Sequence, residues 1–303
     1  MMEINKKQSD TNNFKFYFYE FISARSAFEH VLTNSEIRTI LLPGYIGYST
    51  REGSGVFDPV RNSNKIPTFY RLNKNLTIDI PDLTTKLHNQ TGSIVLIIHY
   101  FGFIDPNISE IRQIVKDNNC LLIEDYAHAY FSFLKRPVLK FDFAFFSLHK
   151  QFPSDFGGLL LSKKLDLQLA ETLISFPFWN YNYFAISQKR RSNFMYLLNI
   201  FKNIKEVELL HSKLPRNIVP QTFPLLLKNK EIRDHLYFKL NENGFGAVSL
   251  YHELIDEIPS NFNIERNVSD RILNLPVHQD TNPSQLKLLT KCFFQLLTQF
   301  DKI

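Results

Sequence analysis

Two unbroken apolar runs, Ser93 to His99 (SIVLIIH) and Cys120 to Ile123 (CLLI), constrain this chain more than any other feature. A strand with one wet face alternates apolar and polar residues. A continuous run of Ile, Leu and Val must be covered on both faces. Between the two runs lies an amphipathic stretch, Ser109 to Asn118, with helical spacing. Further apolar runs follow at Phe141 to Ser147 and Gly158 to Ser162. Strand, helix and strand in this rhythm predict βαβ units. The expected fold class is therefore α/β, a mostly parallel mixed sheet flanked by helices.

The flanks fill in the plan. Thr39 to Leu42 reads as a strand closed by Pro43-Gly44, and Pro67 to Leu72 as another. Helical spacing predicts helices over 19–32, 164–175, 184–213, 231–242 (closed by Gly244) and 283–300. Val219 to Leu227 reads as a strand. The expected organisation is a polar leader over 1–18, a large α/β domain over 19–200 and a small α+β C-terminal domain over 201–303.

Composition removes several function classes. At 44% hydrophobic and 21% charged residues the chain is expected to fold rather than stay disordered. No apolar stretch approaches about 18 residues, and the N-terminus has no apolar signal core, so neither a membrane span nor secretion is expected. Two cysteines, Cys120 and Cys292, make no disulfide framework and no zinc site. They suit a reducing cytoplasm. The net charge of +5 is scattered rather than gathered on a stripe, which argues against a nucleic-acid partner.

In open parallel sheets, ligands bind beyond the carboxyl ends of the strands. His99, Asp125, and the group Ser147, His149 and Lys150 all follow buried strands. Gly157-Gly158 comes just after, where a backbone can approach closely. An acid and a lysine facing one crevice suit pyridoxal 5′-phosphate (PLP). Its aldehyde needs a lysine amine, and its ring nitrogen needs a carboxylate partner.

LLIEDYAHA (121–129) and FFSLHKQFPSDFGGLLLS (145–162) resemble the core of the DegT/DnrJ/StrS-type aminotransferases, fold-type-I PLP enzymes that aminate nucleotide-linked keto sugars. SARSAF (23–28), LLPGY (41–45), IIHYFG (97–102), IRDHLYFKLNENGF (232–245) and RILNLPVHQD (271–280) resemble further segments of that family. The resemblance implies Lys150 as the covalent lysine, Asp125 as the partner of the ring nitrogen and His128 beside the ring. It implies Ser147, Ala24 and Arg25 around the phosphate. Tyr45 and Tyr48 flank Gly47, the position where an aromatic stacking residue is expected, and Tyr48 is the candidate taken. Asn182 is a candidate to reach a neighbouring subunit in a homodimer. The implied reactants are an amino-acid donor, such as glutamate, and a nucleotide-linked keto sugar of polysaccharide biosynthesis. The stretch between Gly158 and about residue 215 is shorter than the family's usual length. Sugar dehydration on the same site and a noncatalytic binding role are the alternatives.

Overall fold

The computed structural model describes residues 16–135, 139–154, 157–163 and 180–300. In chain order these form β1 (Tyr17–Phe21), α1 (Ala24–Thr33), β2 (Thr39–Pro43), α2 (Phe57–Asn62), β3 (Ile66–Tyr70), α3 (Ile80–Asn89), β4 (Ile94–Ile98), α4 (Ile108–Asp117), β5 (Leu121–Asp125), α5 (Tyr130–Lys135), β6 (Phe143–Ser147) and β7 (Gly158–Ser162). Then come α6 (Tyr183–Phe201), β8 (Glu208–Leu209), β9 (Thr222–Leu226), α7 (Lys230–Glu242), α8 (Asn263–Arg271), β10 (Ile272–Pro276) and α9 (Pro283–Phe300). No helix among the described residues is long and apolar enough to cross a membrane.

Seven strands make the main sheet in the order β1-β7-β6-β5-β4-β2-β3. The five from β6 to β3 run parallel, while β7 is antiparallel to both β6 and β1. This is the expected mixed, mostly parallel sheet. Every residue of β4 is buried, as its unbroken apolar run requires. A second sheet, β10-β9-β8, is antiparallel and packs its own apolar core against α6, α7 and α9. Helix α6 enters that second core through Phe194, Leu197, Leu198 and Phe201.

Local departures from the sequence reading have physical causes. Residues 19–21, expected to be helical, lie in β1, whose Tyr17–Phe21 pairs antiparallel with Ser162–Gly158. The helix starts afterwards, where Ser23 caps α1 and exchanges a capping box with Ser26. Helix α6 stops at Phe201 rather than at 213, because Glu208–Leu209 is recruited as the outer strand beside β9. The expected helix over 164–175 and most of the polar leader, 1–15, lie outside the described residues.

One close approach shapes the site. A Cβ on Gly158 would sit 2.2 Å from the carbonyl carbon of Ser23 and 2.6 Å from the Ala24 nitrogen. The first turn of α1 thus rests directly on β7, next to Ser147, the cross-strand partner of Gly158. Gly158→Ala should push backbone against backbone and destabilise the protein by about 1–3 kcal/mol. Urea unfolding measures this, and a stability equal to wild type would contradict the packing.

Candidate active site

The carboxyl ends of β4, β5 and β6 meet at one place. Glu124 and Asp125 are neighbours on β5, so their side chains leave opposite faces of the sheet. Glu124 is fully buried and receives a forked pair of hydrogen bonds from Arg112 of α4, Nε to Oε1 at 2.7 Å and Nη2 to Oε2 at 2.8 Å. His99 Nε2 (3.1 Å) and the Tyr126 hydroxyl (2.6 Å) also reach Oε2. Burial alone would raise the Glu124 pKa, but the hydrogen bonds and charges of Arg112 and His99 outweigh it and hold it at about 2.

Among the described residues Asp125 has no such cation in contact. Its Oδ1 accepts the Ala127 N–H at 2.7 Å, and the residue is 4% exposed. Burial pushes its pKa up to about 6, with the Ala127 N–H and the charges of Lys150 and His99 pulling back. One carboxylate on this strand is therefore tied off, and the other is left short of a cationic partner.

His128 lies three residues further on, also buried. Its Nδ1 faces the Phe101 N–H at 3.4 Å, and its Nε2 faces Lys150 Nζ at 3.3 Å. A backbone N–H can only donate, so Nδ1 is the accepting nitrogen. Assigned from these partners, the neutral ring carries its proton on Nε2. That proton points at Lys150 Nζ, which can accept it only as a neutral amine with a free lone pair. Burial, the largest cause for both groups, lowers each pKa, the direction that two neutral groups require. Burial and then the Lys150 charge lower His128. Burial also lowers Lys150, with the Arg25 charge adding to it, while Asp125 and Glu52 pull the other way. Lys150 is exposed as a residue, yet protein groups surround its amine, as expected for a side chain lining an open crevice.

The turn carrying Lys150 is anchored from below. Gln151, 1% exposed, donates from Nε2 to the Ala127 carbonyl at 3.1 Å. Its Oε1 accepts from Nη1 of Arg190 at 3.2 Å. Arg190 belongs to α6, lies over the Phe131 ring at 5.0 Å, and donates through Nε to Gln279 Oε1 at 2.8 Å. The chain Ala127–Gln151–Arg190–Gln279 joins the Asp125 turn, the Lys150 turn and the loop after β10.

Ser147 ends β6, is 1% exposed and bonds the His149 ring at 3.3 Å. Ala24 and Arg25 open α1, where Ser23 Oγ takes the Ser26 N–H and the first two N–H groups have no partner inside the helix. Arg25 donates to the Glu52 carbonyl at 2.6 Å and faces Asp58 at 3.6 Å. The structure thus brings Asp125, His128 and Lys150 into one cluster, with Ser147, Ala24 and Arg25 at its border. Tyr48 is 43% exposed and lines a polar cavity of about 580 Å³ with Ser54, Lys230, His252, Arg266 and Asp58, the acid that faces Arg25. Asn182 spends its side-chain oxygen on the Ala185 N–H as the cap of α6. Sequence reading missed Gln151, Arg190, and Arg112 and Tyr126 as partners of Glu124. Of these, only the Glu124-Asp125 doublet left a visible signal.

The seven-stranded mixed sheet with its flanking helices has the fold of the fold-type-I PLP-dependent transferases. Residues 54–175 match the model of the DegT/DnrJ/EryC1/StrS aminotransferase family, the stretch that holds both core motifs of the resemblance. No curated protein matches the chain. Among solved structures, Helicobacter pylori PseC, an aminotransferase involved in the biosynthesis of pseudoaminic acid, is 17% identical with a TM-score of 0.72, covering 93% of this chain and 87% of its own. Bacillus subtilis NtdA, solved with bound cofactor PMP, is 15% identical with a TM-score of 0.71, covering 93% and 73%. The PLP form of the putative sugar aminotransferase Spr1654 from Streptococcus pneumoniae is 13% identical with a TM-score of 0.69, covering 93% and 87%.

Asp125 titrates in a direction that can be checked. Its pKa is raised from 3.8 to about 6, so the folded state holds the proton more tightly than the unfolded chain. Its favourable contribution is complete below the unfolded value and is lost as pH rises through about 6. Asp125→Asn should therefore stabilise the ligand-free protein at pH 8, by about 1–3 kcal/mol, and have little effect at pH 3.5. Urea unfolding at the two pH values measures the difference. Equal stability of variant and wild type at pH 8 would contradict it.

Proposed function

We propose that this chain is a PLP-dependent aminotransferase that moves an amino group from an amino acid, with glutamate the expected donor, to a keto sugar. The carrying observation is the pairing of a buried, cation-poor Asp125 with a Lys150 amine that His128 favours in its neutral form. The names of PseC and Spr1654 support the same reaction class.

The residues fit the cofactor. Asp125 lacks the cation its burial calls for, and a protonated ring nitrogen would supply it. Lys150 presents a lone pair for covalent attachment. Ser147 and the open N–H groups of Ala24 and Arg25, with the Arg25 cation beside them, suit a phosphate. Bound there, the cofactor would supply an aldehyde that joins amines covalently and a cationic ring that withdraws electrons.

The chain's own groups then have defined tasks. Asp125 would hold the ring nitrogen and, by its negative charge, favour its protonated form. Lys150 Nζ, as a neutral amine, would accept the proton leaving the donor's α-carbon and give it up again to the transferred group, ending neutral. His128 orients that amine through Nε2, while the Phe101 N–H holds the ring. Gln151 and Arg190 fix the height of the Lys150 turn.

A nucleotide-linked acceptor, a homodimer, a cytoplasmic location and a place in polysaccharide biosynthesis belong to this proposal. Purified protein mixed with PLP should develop a visible absorption band that glutamate shifts to the shorter-wavelength form of the aminated cofactor. Lys150→Ala should show neither the covalent band nor turnover. If wild type gave no band, or the Lys150→Ala variant turned over, the reading would fail.

A further inference from the structure

Tyr251 is the least economical residue near the site. Its backbone sits at φ 62°, a left-handed conformation costly for a tyrosine, and such strain gathers at functional positions. The surrounding chain enforces it. Ser269 Oγ donates to the Tyr251 carbonyl at 2.7 Å. The same loop is bonded to the loop after β2, Tyr48 N to the Glu253 carbonyl at 2.9 Å and Ile255 N to the Ile46 carbonyl at 3.1 Å. Gly47 faces Leu254 across a bridge within that seam.

The strain places a ring. A Cβ on Gly47 would lie 1.9 Å from Cδ1 of Tyr251, so the Tyr251 ring fills the space a side chain at 47 would need. Tyr45 and Tyr100 meet the ring edge-on, with centroids at 5.5 and 6.0 Å and both planes at 85°, which fixes its tilt. The ring is nearly parallel to that of His128, at 27° with centroids 5.8 Å apart. Burial and the nearby Asp125 charge both raise the pKa of its hydroxyl, so the phenol stays neutral. Tyr45 is fully buried, and Tyr48 is 43% exposed and lines a polar cavity.

We infer that Tyr251, delivered from the loop before α8, supplies the aromatic face against which the cofactor's pyridine ring lies, in place of a side chain at Gly47. This rests on the aminotransferase reading above. A flat, electron-poor ring whose nitrogen is held by Asp125 gains most from a flat neighbour of fixed tilt, and Tyr251 is the ring so held beside His128.

The experiment is a PLP titration of wild type, Tyr251→Phe, Tyr251→Leu and the double variant Gly47→Phe/Tyr251→Ala, followed by the visible band and by circular dichroism of the bound chromophore. Thermal melts without PLP identify any variant that fails to fold. Tyr251→Phe keeps the face and should bind within about twofold of wild type. Tyr251→Leu fills the hollow without a face and should weaken binding about tenfold and reduce the induced dichroism. The double variant should recover part of the lost affinity. A folded Tyr251→Leu that binds PLP as tightly as wild type, or a Tyr251→Phe as weak as the leucine variant, would overturn the inference and leave the aminotransferase reading standing. Absence of PLP binding by wild type itself would instead remove that reading, and this inference with it.

Discussion

One backbone N–H sets the chemistry of this site. Phe101 donates to Nδ1 of His128, and that contact decides which ring nitrogen carries the proton facing Lys150. The donor is held in place at some cost. Phe101 lies at φ 54° in the short turn after β4, and two contacts from elsewhere in the chain pin that turn, one of them braced by a third. Gln221 N donates to the Phe101 carbonyl at 2.8 Å, Ser132 Oγ donates to the Gly102 carbonyl at 2.6 Å, and Val219 N donates to Ser132 Oγ at 2.8 Å. A Cβ on Gly102 would come within 2.6 Å of the Val219 carbonyl, so this packing requires glycine there. The segment leading into the second sheet thereby braces the histidine that orients the lysine.

Electrostatics on β5 divide the labour between adjacent carboxylates. Glu124 saturates its oxygens with Arg112, His99 and Tyr126 and acts as a fixed anion inside the fold. Removing one partner of such a buried pair typically costs about 3–5 kcal/mol, so this network belongs to stability. Asp125 is almost as deeply buried but among the described residues accepts the Ala127 N–H alone, and burial raises its pKa. Perturbed carboxylates of this kind gather at functional sites. The strand's alternation separates the two roles by a single residue.

The sheet was legible because its strands are buried on both faces. The runs at 93–99 and 120–123 announce β4 and β5 without any tertiary information. Strand ends in such a sheet also point to where ligands bind, which is how Asp125, Ser147 and Lys150 could be singled out. Strand β1 was not legible: its Tyr-Phe-Tyr-Glu-Phe sequence fits helical and strand periods alike, and its pairing with β7 decided the matter. The capping exchange of Ser23 with Ser26 was the local sign of where the helix begins. Gln151, Arg190 and Tyr251 escaped for a different reason. Each is an ordinary polar or aromatic residue until the fold brings Arg190 under the Lys150 turn and Tyr251 over Gly47. No local pattern encodes a contact across such chain distances.

The central claim is that Lys150 carries a neutral, reactive amine poised for an aldehyde. Incubation with PLP, reduction with borohydride and peptide mass mapping tests this most directly. The account predicts a pyridoxyl group fixed on Lys150, in preference to every other lysine of the chain. A label spread over surface lysines, or concentrated on a different one, would contradict it.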